Sequence, residues 1–258
     1  MSKIPQLTLA FWVMKIAATT LGETAGDLFS MTLHMGYAVT SVVLLALFLV
    51  ILGAQLRARR FHPFLYWGVI LATSTVGTTM SDFMDRTLGL GYARGAAMLL
   101  ALLLLVLAVW RWSTGTLAVT DVQSRKAEAF YWAAILVSNT LGTALGDFLA
   151  DSSGLGFKGG ALLISAALAL VVLAHYFTAT SGVMLFWIAF VLTRPFGATF
   201  GDLLTKTPDK GGLDFGTAGS SLVLLSILLT LVFWTRRHHL DVAPEPQVAG
   251  SDRGDPPG

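Results

Sequence analysis

Four aspartates carry the first chemical signal. Asp27, Asp82, Asp147 and Asp202 each close a six-residue copy of one pattern, Gly-x-x-x-small-Asp, beginning at Gly22, Gly77, Gly142 and Gly197. The small residue is Gly26, Ser81, Gly146 and Gly201 in turn. Oxygen donors of this kind suit hard cations and proton exchange. Glu23 adds a carboxylate in the first copy alone, where the aligned residues are Thr78, Thr143 and Ala198. Lys15, Thr19, Glu23 and Asp27 are four apart and so form one drifting stripe on a helix. In the fourth copy Arg194-Pro195 stands where the others have Thr19-Thr20, Ser74-Thr75 and Asn139-Thr140. If the copies close into a ring, the first and fourth are neighbours, and Arg194 is expected to pair with Glu23. Lys15, near the start of its helix, is expected to snorkel to the interface.

These residues sit in a fourfold repeat. An aromatic-Trp pair precedes each copy at one spacing: Phe11-Trp12, Tyr66-Trp67, Tyr131-Trp132 and Phe186-Trp187, with the Trp fifteen residues before the Asp. The copies are offset by 55, 65 and 55 residues, which points to two rounds of duplication. With 55% apolar and 12% charged residues and a mean hydropathy of +0.71, the chain reads as a polytopic membrane protein. Each repeat (8–57, 63–112, 128–178 and 183–235) holds two apolar segments long enough to cross a bilayer core of about 30 Å. The expectation is an all-α fold of eight transmembrane helices in a single domain, 1–235, with pseudo-symmetry about the membrane normal. A disordered cytoplasmic tail, 236–258, follows.

The first segment of each repeat carries the small-residue patterns and the polar runs Thr19-Thr20, Thr73-Ser74-Thr75 and Ser138-Asn139-Thr140; the second is almost pure hydrocarbon. The first segments should therefore form an inner ring, packed through Gly22, Gly26, Gly77, Gly142, Gly146, Gly197 and Gly201, and the second a lipid-facing shell. Nine basic residues flank the N-terminal side of the spans against five on the other, which puts both termini in the cytoplasm. With each Trp taken as an interface marker, Glu23 lies about 16 Å further on and the aspartates about 22 Å, in the outer third of the bilayer. There each Asp falls near a helix C-terminus, whose dipole disfavours it. A compensating proton, metal ion or basic side chain is required. Arg86, Arg94, Lys158, Lys206 and Lys210 lie on that side and could serve as structural partners, and each Asp could instead cap the following helix.

No cysteine is present, so disulfides, thiolate metal sites and Cys nucleophiles are excluded. The five histidines show no metal-ligand spacing, no phosphate loop or nucleophile set is found, and the scattered basic residues suggest no nucleic-acid partner. The chain is expected not to be an enzyme, and the sequence names no cofactor.

Lys15 through Asp27, the repeated Gly-x-x-x-Gly-Asp and Arg194-Pro195 resemble a bacterial family of uncharacterised membrane-anchored proteins built from four copies of a repeat of unknown function. The resemblance spans about residues 8–235 and implies a multipass protein of the bacterial inner membrane, with no established activity. The residues themselves favour a transporter or permeation protein for a hard cation, coupled to protons. Asp27, Asp82, Asp147 and Asp202 would form an outer cation ring, and Glu23, Arg194, Lys15, Thr19, Thr20 and Asn139 a mid-membrane site. A structural or signalling membrane protein is the alternative, and a membrane-embedded enzyme using Glu23 and Asp27 as acid and base a third.

Overall fold

The computed structural model describes residues 5–122 and 124–241. Eight long α-helices account for most of them: α1 Leu9–Asp27, α2 Tyr37–Arg57, α3 Pro63–Asp82, α4 Tyr92–Thr114, α5 Arg125–Asp147, α6 Gly156–Phe177, α7 Gly182–Thr205 and α8 Thr217–Asp241. The last helix runs on to Asp241 where the sequence suggested an end at 235, and residues 242–258 of the expected tail lie outside the described residues. The linker between the halves holds a short 3-10 turn, Val119–Asp121.

Local chemistry sets the helix starts. Thr8, His62 and Ser124 each accept a hydrogen bond from a first-turn amide, capping α1, α3 and α5, and Pro63 opens α3 where no donor is needed. The turns from α1 to α2 and from α3 to α4 end on Gly36 (φ 75°) and Gly91 (φ 78°), a backbone that a side chain would strain. None of α2, α4 and α6 receives a side-chain cap, so Asp27, Asp82 and Asp147 do not start the following helices.

The odd helices form a closed inner ring, α1–α3–α5–α7, with α7 returning to α1. Each even helix leans on the next repeat's inner helix: α2 on α3, α4 on α5, α6 on α7, and α8 back on α1. The ring closes through the repeated small residues. A side chain at Gly22 would meet Ser74, at Gly77 Asn139 and Thr140, at Gly142 Arg194 and Pro195, and at Gly197 Thr19. One turn on, Gly26 faces Thr78, Gly146 faces Ala198 and Gly201 faces Glu23. Small residues four apart thus let each backbone seat on its neighbour, in the order the repeats dictate.

At the other end of the ring the aromatic pairs interlock. Phe11 meets Trp67, Tyr66 meets Trp132, Tyr131 meets Trp187 and Phe186 meets Trp12, at centroid distances of 5.6, 5.5, 6.4 and 5.9 Å. Trp67, Trp132 and Trp187 are buried, so these side chains plug the end of the ring and do not face lipid. The exposed aromatics at that end, Trp112, Tyr176, Phe177 and Trp234, belong to the outer helices.

Six helical segments are long and apolar enough to cross a membrane, which suggests an integral membrane protein. They are the four outer helices and two inner ones, the segments containing α5 and α7; α1 and α3 are not among them. Lys15, Glu23 and Asp27 dilute α1, and a run of Thr and Ser dilutes α3. Those residues are buried against neighbouring helices.

Candidate functional site

The ring places equivalent residues of the four repeats in layers along its axis. Starting from the aromatic plug, the first polar layer contains Lys15, aligned with Ile70, Ile135 and Phe190. Lys15 does not snorkel: it is completely buried, its Nζ 3.9 Å above the Phe190 ring and 3.4 Å from Asn139 Oδ1. The stripe that carries Lys15 faces the ring interior, and a stem pointing inward cannot reach the surface.

The next layer is Thr19, Ser74, Asn139 and Arg194. Asn139 donates to Thr73 Oγ1 and Ser74 Oγ at 2.9 and 3.2 Å, while its oxygen faces Lys15. The Thr19 hydroxyl, with one proton to share, lies 3.0 Å from the Lys15 carbonyl of its own helix and 3.2 Å from the Thr193 carbonyl, bringing α1 against α7. Thr20 is buried with no hydrogen-bond partner for its hydroxyl.

Arg194 reaches into the layer above, formed by Glu23, Thr78, Thr143 and Ala198. The expected pair is present: Arg194 Nη2 lies 2.9 Å from Glu23 Oε2, with both side chains buried. The aligned threonines join it, Thr78 and Thr143 bonding to both Arg194 and Glu23. Only the Ala198 position takes no part, because its repeat contributes the arginine itself.

The four aspartates come last. All are buried, and they divide into two clamped pairs rather than one open ring. Lys206 contacts Asp27 and Asp202 at 2.5 and 3.0 Å. Arg86 contacts Asp82 at 2.8 Å and Asp147 at 3.4 Å. Burial pulls both cations down, and the carboxylates more than reverse it, so Lys206 and Arg86 lie above their ordinary pKa ranges. Asp27, Asp82 and Asp147 are the last residues of α1, α3 and α5, but the helical path goes on, since each is followed at once by a π turn: Leu28–Thr32, Phe83–Thr87 and Phe148–Ser152. The turn carries the helical path past the carboxylate and removes the unfavourable terminal dipole expected there. Asp202 has no such turn and stays in the last turn of α7, followed directly by Lys206.

Asp27, Asp202 and Glu23 each offer an oxygen such that all three lie within 4.8 Å of one another, a separation a cation could bridge. The cavity of about 290 Å³ beside the linker, lined by Trp110, Thr114, Val122 and Ser124 among others, lies away from this cluster.

A family model described as Repeat of Unknown Function (DUF347) matches the chain four times, at residues 10–61, 65–116, 130–181 and 185–239. The chain belongs to the DUF347 family. No curated protein and no solved structure matches it. Each DUF347 repeat supplies one inner helix, one outer helix and one residue to every layer of the axis. What the repeats share is the packing and the aspartate. What differs between them is the charge within the axis: Lys15 and Glu23 enter with the first repeat, Arg194 with the fourth.

The sequence singled out every carboxylate of the site and the Arg194 pair. Arg86 and Lys206 stood there only among five candidate partners, although they hold the same place in the second and fourth repeats, each four residues after its aspartate. Thr78 and Thr143 carried a readable signal in their alignment with Glu23. The π turns had none.

Proposed function

We propose that this protein spans the membrane with all eight helices, both termini cytoplasmic, and moves a hard cation, with protons as the coupled species, through binding groups inside the α1–α3–α5–α7 ring. The apolar outer helices, with Leu49, Val50, Leu104, Leu105, Leu162 and Leu222 among their exposed residues, support the membrane setting. Two inner helices can fall short on apolarity because their polar faces are enclosed by protein. Buried ionisable groups in such a setting mark ion and proton pathways.

One observation carries the reading. Glu23, Asp27, Asp82, Asp147 and Asp202 put five carboxylates in the buried end of the ring, and Arg86, Arg194 and Lys206 put three cations beside them. The excess of carboxylates calls for further positive charge, supplied by protons or by a bound ion. An all-oxygen donor set favours Mg²⁺, Mn²⁺, Ca²⁺, a monovalent cation or H⁺ over soft metals. Asp27, Asp202 and Glu23 would hold the ion. Arg194 and Lys15, deeper in the axis, oppose free passage of cations, so the reading is of a carrier and not an open pore.

Purified protein in liposomes should show cation-dependent flux with a matching pH change inside. Glu23→Gln and Asp27→Asn should abolish it while the protein stays monodisperse. Undiminished flux in both variants would remove these residues from the path. The clamps by Arg86 and Lys206 favour a second reading, in which the aspartates serve folding alone. On that reading the wild type moves no ion, and Asp27→Asn only lowers stability.

A further inference from the structure

Arg194 joins all four inner helices through one atom. From α7, its Nη2 lies 2.9 Å from Glu23 Oε2 on α1, 3.3 Å from the Ser74 carbonyl and 2.5 Å from the Thr78 hydroxyl on α3, and 2.6 Å from the Thr143 hydroxyl on α5. A terminal guanidinium nitrogen has two hydrogens, so four acceptors exceed what it can serve. Meanwhile Nε and Nη1 of the same buried group have no hydrogen-bond partner. Arginine cannot escape burial by losing its proton. Among the described residues, Glu23 is the only carboxylate within ion-pair distance of it.

Glu23 has a second attachment. Its carboxylate is grouped with those of Asp27 and Asp202, and positive charge taken up there competes with Arg194 for the same oxygens. Exposure shows where the two environments meet. Glu23, Asp27 and Asp202 each retain 3% exposure, whereas Lys15, Thr19, Ser74, Asn139 and Arg194 have none. The residues that carry these carboxylates thus keep a trace of exposure, and the layers of Lys15 and Arg194 keep none. The helix that carries Arg194 is weakened at that point, since Pro195 leaves the Val191 carbonyl without its helical donor.

We propose that the Glu23–Arg194 pair holds the inner ring shut, and that neutralising Glu23, by a proton or by a cation drawn to Glu23, Asp27 and Asp202, leaves Arg194 an uncompensated buried charge that forces open the dry layer beneath. The proposal rests on the reading of the carboxylate end as a binding site for positive charge and supplies the step that follows binding. A guanidinium left without its counter-charge in a dry layer draws in water or moves to reach it. Either response parts helices that a single nitrogen had joined.

The chain has no cysteine, so one introduced thiol reports on the layer. Ser74→Cys is close to isosteric and places the thiol where exposure is zero. Its reaction with a small methanethiosulfonate reagent, on the full chain in detergent, should be slow. Adding Glu23→Gln should speed it by about tenfold or more, as opening of a closed layer becomes accessible. Adding Arg194→Gln to that pair should return it to the slow rate, which general loosening of the fold would not do. An unchanged rate with Glu23→Gln, or a fast rate in the triple variant, overturns the proposal. Where Glu23→Gln is not monodisperse, Glu23→Asp withdraws the carboxylate by one methylene and should give an intermediate rate; no acceleration there overturns it equally. Labelling that follows Glu23 in a protein without flux keeps the lock and removes the transport reading. Flux in a protein whose labelling ignores Glu23 does the reverse.

Discussion

Removing either member of the Glu23–Arg194 pair should destabilise the fold, and by unequal amounts. Breaking a buried ion pair from one side costs about 3–5 kcal/mol, because a charge is left without compensation. Glu23→Ala belongs at the top of that range. Arg194 is completely buried, already has two nitrogens without partners, and has no neutral form to adopt. Arg194→Met should cost less, about 1–3 kcal/mol, since the Glu23 carboxylate keeps the Thr78 and Thr143 hydroxyls and, unlike the guanidinium, can take up a proton. The double variant should fall short of the sum by up to about 3 kcal/mol, the coupling expected of groups in contact. Reversible unfolding in mixed detergent micelles, followed through the fluorescence of the ring tryptophans, measures all three. Equal costs for the two single variants, or additivity in the double, would refute the claim that Arg194 depends on Glu23 for its charge balance.

Other expectations follow from separate parts of the ring. Lys15→Met removes a buried ammonium with no carboxylate within ion-pair distance among the described residues, and a thermal melt should show unchanged or higher stability; a loss above about 1 kcal/mol would mean the charge is compensated after all. Gly77→Ala puts a methyl 2.9 Å from the Asn139–Thr140 backbone and should cost about 1–3 kcal/mol, while Gly219→Ala, with open space around it, should be close to neutral in the same melt. Lys206→Met should make the melting temperature rise with Mg²⁺ or Mn²⁺ as the freed Asp27 and Asp202 accept an ion, and indifference to both ions would count against an ion site there. Because the folded-state pKa of Lys206 is raised, its clamp contributes fully below the ordinary lysine value of about 10.4 and is lost only as pH climbs beyond it, so stability between pH 8 and 10 should not fall on its account.

The architecture was legible wherever it recurs. Gly22, Gly77, Gly142 and Gly197 announced the inner ring because close helix approach has only one compositional solution, and it appears four times. Glu23 and Arg194 stood out by breaking the repeat, which is why their pairing could be anticipated. The features the sequence hid are those set by direction rather than type. A lysine near a helix start reads as a snorkelling residue until the ring fixes which way its stripe faces, and then Lys15 has nowhere to go but inward. A Trp repeated near a helix end reads as a lipid-facing anchor, yet Trp67 and Trp132 turn inward and pack at a tilt against the aromatic residues of the preceding repeats. Arg86 and Lys206 share one repeat position, four residues after Asp82 and Asp202, which the sequence already shows; only their reach to Asp147 and Asp27 on the neighbouring helices needed the structure.

The outer helices lean forward, each on the repeat that follows, and this has a consequence for how the molecule is made. During synthesis no unit can cover its own core: α2 waits for α3, α4 for α5, α6 for α7. The opening helix, which bears Lys15, Glu23 and Asp27, stays uncovered longest, because its partner α8 is translated last. The face of α1 that meets α7 and α8 therefore stays open until the fourth repeat is made, and a product cut short after the third repeat would leave that face without its partners even though α3 is already in place.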